Sequence, residues 1–180
     1  MIICAGNNET FPFATPMGVG LVEMSINLTR LCLMNPPEFL FFVGTAGSYG
    51  KVKIFDIVES KTASNIELGF LEKNCYTPID NVISTNTTNK KDIIVNSSNY
   101  ITTNKELGSK FLKFGIEIEN MEFFAFLNVA KEFDIPAGGV FCVTNYTDEN
   151  AHKDFLANHS RAKELLTQHI EKRFEELTKK

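Results

Sequence analysis

The sequence predicts an α/β fold on a mixed, largely parallel sheet, and three observations predict it. Short apolar runs alternate with stretches of helical periodicity along the chain. The run Phe39-Leu40-Phe41-Phe42-Val43 is continuously apolar, as a strand covered on both faces tends to be. Clusters of Gly, Pro and Asn separate the segments. With 180 residues, 43% of them hydrophobic and 22% charged, the chain can bury a core of its own, and residues 1–180 read as a single domain with no internal repeat.

In order, residues 1–5 read as a buried strand closed by a Gly6-Asn7-Asn8 turn, with Glu9 just beyond it. Gly18 to Met34 follows Pro12 and Pro16 and is stopped by Pro36-Pro37. It reads as a helix carrying the apolar residues Val19, Val22, Ile26 and Leu33. The central strand at Phe39–Val43 then runs into a glycine-rich loop, Gly44 to Gly50. Val52 to Val58 and Ile66 to Leu71 read as further strands, Thr77 to Asn89 as an exposed Asn/Thr-rich loop, and Ile93-Ile94-Val95 as a strand. Lys105 to Phe114 reads as a short helix and Gly115 to Ile118 as a strand. Met121 to Phe133 is a helix ended by Asp134-Ile135-Pro136, and Gly139 to Thr144 a last strand. From His152 to Thr178 the apolar residues Phe155, Ala162, Leu166, Ile170, Phe174 and Leu177 recur at helical spacing.

Charge and composition exclude several functions. Eighteen Lys and Arg against 22 Asp and Glu give a net charge of -4, and no basic run precedes Lys179 and Lys180, so a nucleic-acid partner is not expected. Cys4, Cys32, Cys75 and Cys142 have no C-x-x-C spacing and read as reduced thiols. Met1-Ile2-Ile3 lacks a basic leader, and no apolar run approaches the roughly 20 residues a bilayer requires. The expectation is a cytoplasmic protein with no membrane contact, in which triplets such as Asn86-Thr87-Thr88 are ordinary loop composition.

Taken singly, the chemical signals are ambiguous. Gly44, Gly47 and Gly50 could cradle a phosphate or ribose or form a tight turn, but the loop leads into a strand, so neither the dinucleotide fingerprint nor the P-loop applies. Gly18-Val19-Gly20 opens a helix without the fingerprint's third glycine. His152, His159 and His169 are not spaced as zinc ligands, even with Asp148 or Glu149 beside His152. A solvated helix face is expected there, and no metal. No nucleophile motif is present. Glu122 opens the helix at Met121, where the helix dipole favours a carboxylate with or without a function.

Together, in order, these pieces resemble the nucleoside phosphorylase and nucleosidase superfamily. Ile2 to Glu9 looks like the nucleosidases' first strand and the acidic residue after it. Gly18-Val19-Gly20 resembles the S-G-I-G-K helix start, and Val43 to Ser48 the G-S-A-G-G loop. Ser97-Ser98-Asn99-Tyr100-Ile101 is similar to S-G-D-x-F, Met121-Glu122-Phe123-Phe124-Ala125 to M-E-x-x-A, and Val143-Thr144-Asn145 to I-S-D or I-T-N. The resemblance implies a three-layer sandwich, a central sheet flanked by helices. It implies an enzyme of purine salvage that cleaves the N-glycosidic bond of a purine nucleoside, with phosphate or water as acceptor and no cofactor. It also implies a homo-oligomer. Carried over residue by residue, it makes Glu122 the ribose clamp, Asn145 the base contact and Glu9 the residue that orients water. Thr45, Ala46, Gly47, Tyr100, Ile101 and Met121 become substrate contacts, with Tyr100 stacked on the base.

Three departures qualify these implications. Asn145 stands where adenine-cleaving members carry Asp, which tilts the expectation to 6-oxopurines, with Asp148 as the alternative acid in a shifted register. The chain has only Arg30, Arg161 and Arg173, and Phe42 occupies the position before the loop that carries arginine in hexameric phosphorylases, so no obvious arginine grips phosphate, although backbone N–H groups with Thr45, Ser48 or a lysine could hold it. The stretch between Glu9 and Gly18 is far shorter than the family's. These departures motivate the alternative of a weakened member that binds a purine or nucleoside without turning it over.

Overall fold

The structure is a computed structural model that describes residues 1–85 and 92–178. The Asn86-Thr87-Thr88 triplet, the rest of the expected loop to Asn89, the Lys179-Lys180 pair and the side chains of Phe174 and Leu177 lie outside the described residues.

In chain order the elements are β1 (Ile2–Cys4), β2 (Thr15–Pro16), α1 (Gly20–Met34), β3 (Leu40–Ser48), β4 (Ile57–Ser60), β5 (Thr62–Ser64) and α2 (Leu68–Leu71). There follow β6 (Val82–Ser84), β7 (Ile94–Asn96), α3 (Lys105–Lys113), β8 (Ile116–Glu119), α4 (Phe123–Glu132), β9 (Ala137–Tyr146) and α5 (Ala151–Thr178). The strands form one nine-stranded sheet in the order β2-β1-β3-β8-β7-β5-β6, with β9 paired to β3 and β4 off that path. Five of the eight strand pairings are parallel, so the sheet is mixed and mostly parallel, as expected. β3 is its hub, parallel to β1 at one end and to β9 along its whole length, and antiparallel to β8 at Gly47 and Ser48.

Helices cover both faces because neighbouring strand residues point opposite ways. Phe42 and Phe141 face α1 and α4, where their rings meet Phe123 and Phe126 at centroid distances of 4.9 to 5.9 Å. Val43, Val140 and Cys142 face α5 and pack on Ala162, Leu166 and Ile170. Cys4, Cys32 and Cys142 are buried free thiols, while Cys75 is a free thiol at the surface. Among the described residues no helix is long and apolar enough to cross a membrane.

The structure departs from the sequence reading in several places. Val82 to Ser84, inside the expected Asn/Thr-rich loop, is strand β6, paired antiparallel to β5 with Ile83 buried. Gly44 to Ser48 is not a loop but the second half of β3. Its glycines serve packing: a Cβ at Gly44 would lie 2.7 Å from the Phe42 ring. Ile66 to Leu71 is not a strand. α2 forms there, and Ile66, Phe70 and Leu71 turn one side to Phe111 and Ile116. Of Val52 to Val58 only the end belongs to β4, because Lys53 to Asp56 closes a turn through the Asp56 carboxylate, with Phe55 at φ 69. On α1 the core face is Gly20, Met24, Leu28 and Cys32, whereas Val22, Ile26 and Leu33 are 62%, 54% and 70% exposed. Both faces of α1 are apolar, so periodicity alone does not choose between them.

Candidate active site

The C-terminal ends of β1, β3, β8 and β9 converge with the first turns of α5 around a cavity of about 290 Å³. Of the residues expected at a site, Glu9, Thr45, Ala46, Gly47, Ile101, Met121, Glu122 and Asn145 line it together. Tyr100 does not line it, and its side chain is 85% exposed.

Glu122 reaches the cavity because it is released from capping its own helix. Asn120 Oδ1 accepts the N–H groups of Glu122 and Phe123 at 2.9 and 3.1 Å, so an amide satisfies the start of α4. The Glu122 side chain makes no cap bond there. Oε1 instead accepts the Gly20 N–H at 2.8 Å, from the first residue of α1. Only 3% exposed, Glu122 is pushed up to about 8 by burial, opposed by the Gly20 N–H and reinforced by the nearby charge of Glu9.

Glu9 stands beyond the Gly6–Glu9 turn and accepts the Thr45 N–H. Burial raises its carboxyl to about 7, against the pull of the Thr45 donors. Two carboxylates from distant parts of the chain therefore face one cavity, each accepting a backbone N–H.

On the far wall, a register shift between β3 and β9 after Ala46 brings Asn145 opposite Gly47. Asn145 is 5% exposed, accepts from Thr144 Oγ1 at 2.8 Å and donates to the Tyr146 carbonyl at 3.0 Å, which leaves one N–H and one lone pair. Asp148 does not line the cavity, and its Oδ1 accepts the Asn150 N–H in the turn before α5. Among the described residues lining the cavity there is no lysine or arginine. No group of three or more His, Cys, Asp or Glu among the described residues is placed to hold a metal.

The geometry can be set beside known proteins. The phosphorylase superfamily model matches residues 91–174. A Helicobacter pylori MTAN mutant with 5'-methylthioadenosine in its active site superposes with a TM-score of 0.77 at 17% identity, over 91% of this chain and 79% of that one. The fold is that of this solved structure. Native Helicobacter pylori futalosine hydrolase superposes with the same TM-score of 0.77 at 18% identity, over 91% of this chain and 78% of its own. The Streptococcus pneumoniae 5'-methylthioadenosine/S-adenosylhomocysteine nucleosidase with the inhibitor MT-ImmA gives 0.73 at 11%, over 93% and 94%. No curated protein matches the chain.

Within this fold, sequence reasoning missed Asn7, Asn8, Val19, Glu119 and Asn120, all of which line the cavity. It also missed the side of α5. His152, Phe155 and His159 line the cavity, whereas the two histidines are expected on a solvated helix face. The signal was present, since these three residues recur at positions i, i+3 and i+7. Burial lowers the pKa of His159, and its Nε2 is buried with no partner among the described residues. His169 lies away from the cavity, 3.5 Å from Glu59.

Proposed function

We propose that the chain cleaves the N-glycosidic bond of a purine nucleoside, with water as the acceptor. The observation that carries this reading is the pair Glu9 and Glu122, buried on one cavity and each held by a backbone N–H. As the bond from C1′ to the base breaks, its electron pair leaves with the base and positive charge develops on the ribose. Ionised Glu122 accepts the two vicinal ribose hydroxyls and holds the ring against that charge. Glu9 takes a proton from water as the water oxygen bonds to C1′, and that proton passes on to solvent or the departing base. The products are ribose and the free base. A cavity lining without lysine or arginine among the described residues favours water over phosphate, and the similar solved structures include proteins named as nucleosidases and a hydrolase.

The base is 6-oxopurine in this reading. Asn145 donates an N–H to the base edge but has no proton to transfer, so a base that leaves readily as an anion suits it. The same residue favours the second reading, a protein that binds the nucleoside without cleaving it. The exposed stripe Val22, Ile26 and Leu33 on α1 supports a homo-oligomer, and a monomer by light scattering at micromolar concentration would refute that.

Chromatography of inosine, guanosine, adenosine and methylthioadenosine, each with and without phosphate, tests the proposal. Free base and ribose without phosphate are expected. Ribose 1-phosphate formed only with phosphate would replace water by phosphate as acceptor, and no release at all would leave the binding reading.

A further inference from the structure

The segment from Ser97 to Asn104 joins β7 to α3 with no helix or strand of its own. Its position therefore depends on a few pins. Ser97 donates its N–H to the Ser64 carbonyl at 2.7 Å, and its Oγ accepts from the Phe124 N–H at 3.0 Å. Asn99 Oδ1 accepts the Leu21 N–H at 2.9 Å. Thr102 gives both of its donors to one carboxylate: its N–H reaches Glu119 Oε1 at 3.0 Å and its hydroxyl reaches Oε2 at 2.7 Å. Between the last two pins stand Tyr100 and Ile101, 85% and 56% exposed, and Ile101 forms part of the cavity wall. No core packing fixes these two residues.

Glu119 is itself held rigidly. It ends β8 opposite Gly47, and the Tyr49 hydroxyl donates to its Oε2 at 2.9 Å. Tyr49 is 4% exposed and stacked on Phe111 with centroids 4.4 Å apart. Glu119 also stands beside the base contact, since a Cβ at Gly47 would lie 3.3 Å from Glu119 Cγ and 3.2 Å from Asn145 Nδ2. A carboxylate thus gathers three donors from two other segments, with both oxygens committed to acceptance. An amide offers one acceptor oxygen and turns an N–H donor toward one of the groups that now donate.

Building on the purine-nucleoside reading, we propose that Glu119 is a positioning residue. It straps residues 99–102 across the cavity and thereby holds Ile101 where the purine is gripped. Its action passes through Thr102 and Ile101, so it governs how tightly the nucleoside is held and not the bond-breaking step.

The test compares Glu119→Gln, Thr102→Val and the double variant in the full chain. Thr102→Val removes only the hydroxyl pin and leaves the sheet untouched, so it reports even if the Glu119 variant folds poorly. Losing bonds to a charged acceptor predicts a rise in KM for inosine of about tenfold in Glu119→Gln, with kcat changed less than about threefold. The double variant is expected to be no worse than Glu119→Gln alone, because both changes release one strap. Hydrogen exchange of amides 99–103 in the ligand-free chain is expected to quicken in each variant, while β3 and β9 keep their protection. Unchanged exchange at 99–103, additive effects in the double variant, or a fall in kcat with KM unchanged would overturn the strap. Because exchange needs no substrate, it is independent of turnover. A wild type that cleaves nothing would defeat the proposed function and leave the strap result readable.

Discussion

Replacing Glu122 by Gln changes a single proton-binding site and almost no volume. In the folded chain Glu122 Oε1 accepts the Gly20 N–H at 2.8 Å, and the amide oxygen of Gln can keep that bond, so α1 stays docked. What is lost is the charge offered to the two ribose hydroxyls. Exchanging a charge-assisted hydrogen bond for a neutral one costs about 1 to 1.5 kcal/mol, so two cost about 2 to 3 kcal/mol. At about 1.4 kcal/mol per decade, kcat/KM should fall about 30- to 140-fold. Base release by chromatography reads the rate. Thermal melting supplies the control, and its sign is fixed by linkage. Burial raises Glu122 from 4.5 to about 8, so the folded state favours the protonated form. Its contribution to stability is full below about 4.5 and fades as pH rises through about 8. Gln never ionises, so the variant should melt at or above the wild-type temperature in alkali. A Glu122→Gln protein that melts normally and turns over within about threefold of wild type would refute the ribose-clamp assignment and the reasoning behind it.

The other predictions use the same site and its supports. Wild-type kcat/KM should rise with pH through the interval from about 7 to about 8 as Glu9 and Glu122 ionise, and a profile flat across it would show that neither acts as an anion. Over the same interval the wild-type melting temperature should fall, and Glu122→Gln should reduce that fall. Asn145→Asp supplies a transferable proton beside the base. The ratio of adenine to hypoxanthine release should then rise about tenfold or more, and an unchanged ratio would remove Asn145 from base recognition. Gly44→Ala drives a methyl to within 2.7 Å of a Phe42 ring locked among Phe123, Phe126 and Phe141, so denaturant titration should show a loss of about 1 to 3 kcal/mol.

The ordered alternation of strands and helices was set by residues close together in sequence. Apolar continuity marked β3, punctuation by Asp134-Ile135-Pro136 ended α4 close to its true limit, and helical spacing found α5. The candidate site was legible in the same way wherever a short motif carries both a turn and a side chain, as at Gly6 to Glu9 and Met121-Glu122. Tertiary structure decided what local patterns leave open. α1 carries two apolar faces, and only packing against α4 buries Met24 and Leu28 while Val22 and Ile26 stay outside. The glycines of β3 read as a loop because flexibility is their local signature, whereas the ring of Phe42 and the parallel register with β9 make them strand. The convergence of Glu9, Glu122 and Asn145 follows from placing the ends of β1 and β9 and the start of α4 side by side, and so do the cavity faces of His159 and Glu119. Hydrogen bonds between residues as distant as Gly20 and Glu122 hold that arrangement, and they leave no periodicity in the sequence from which to read them.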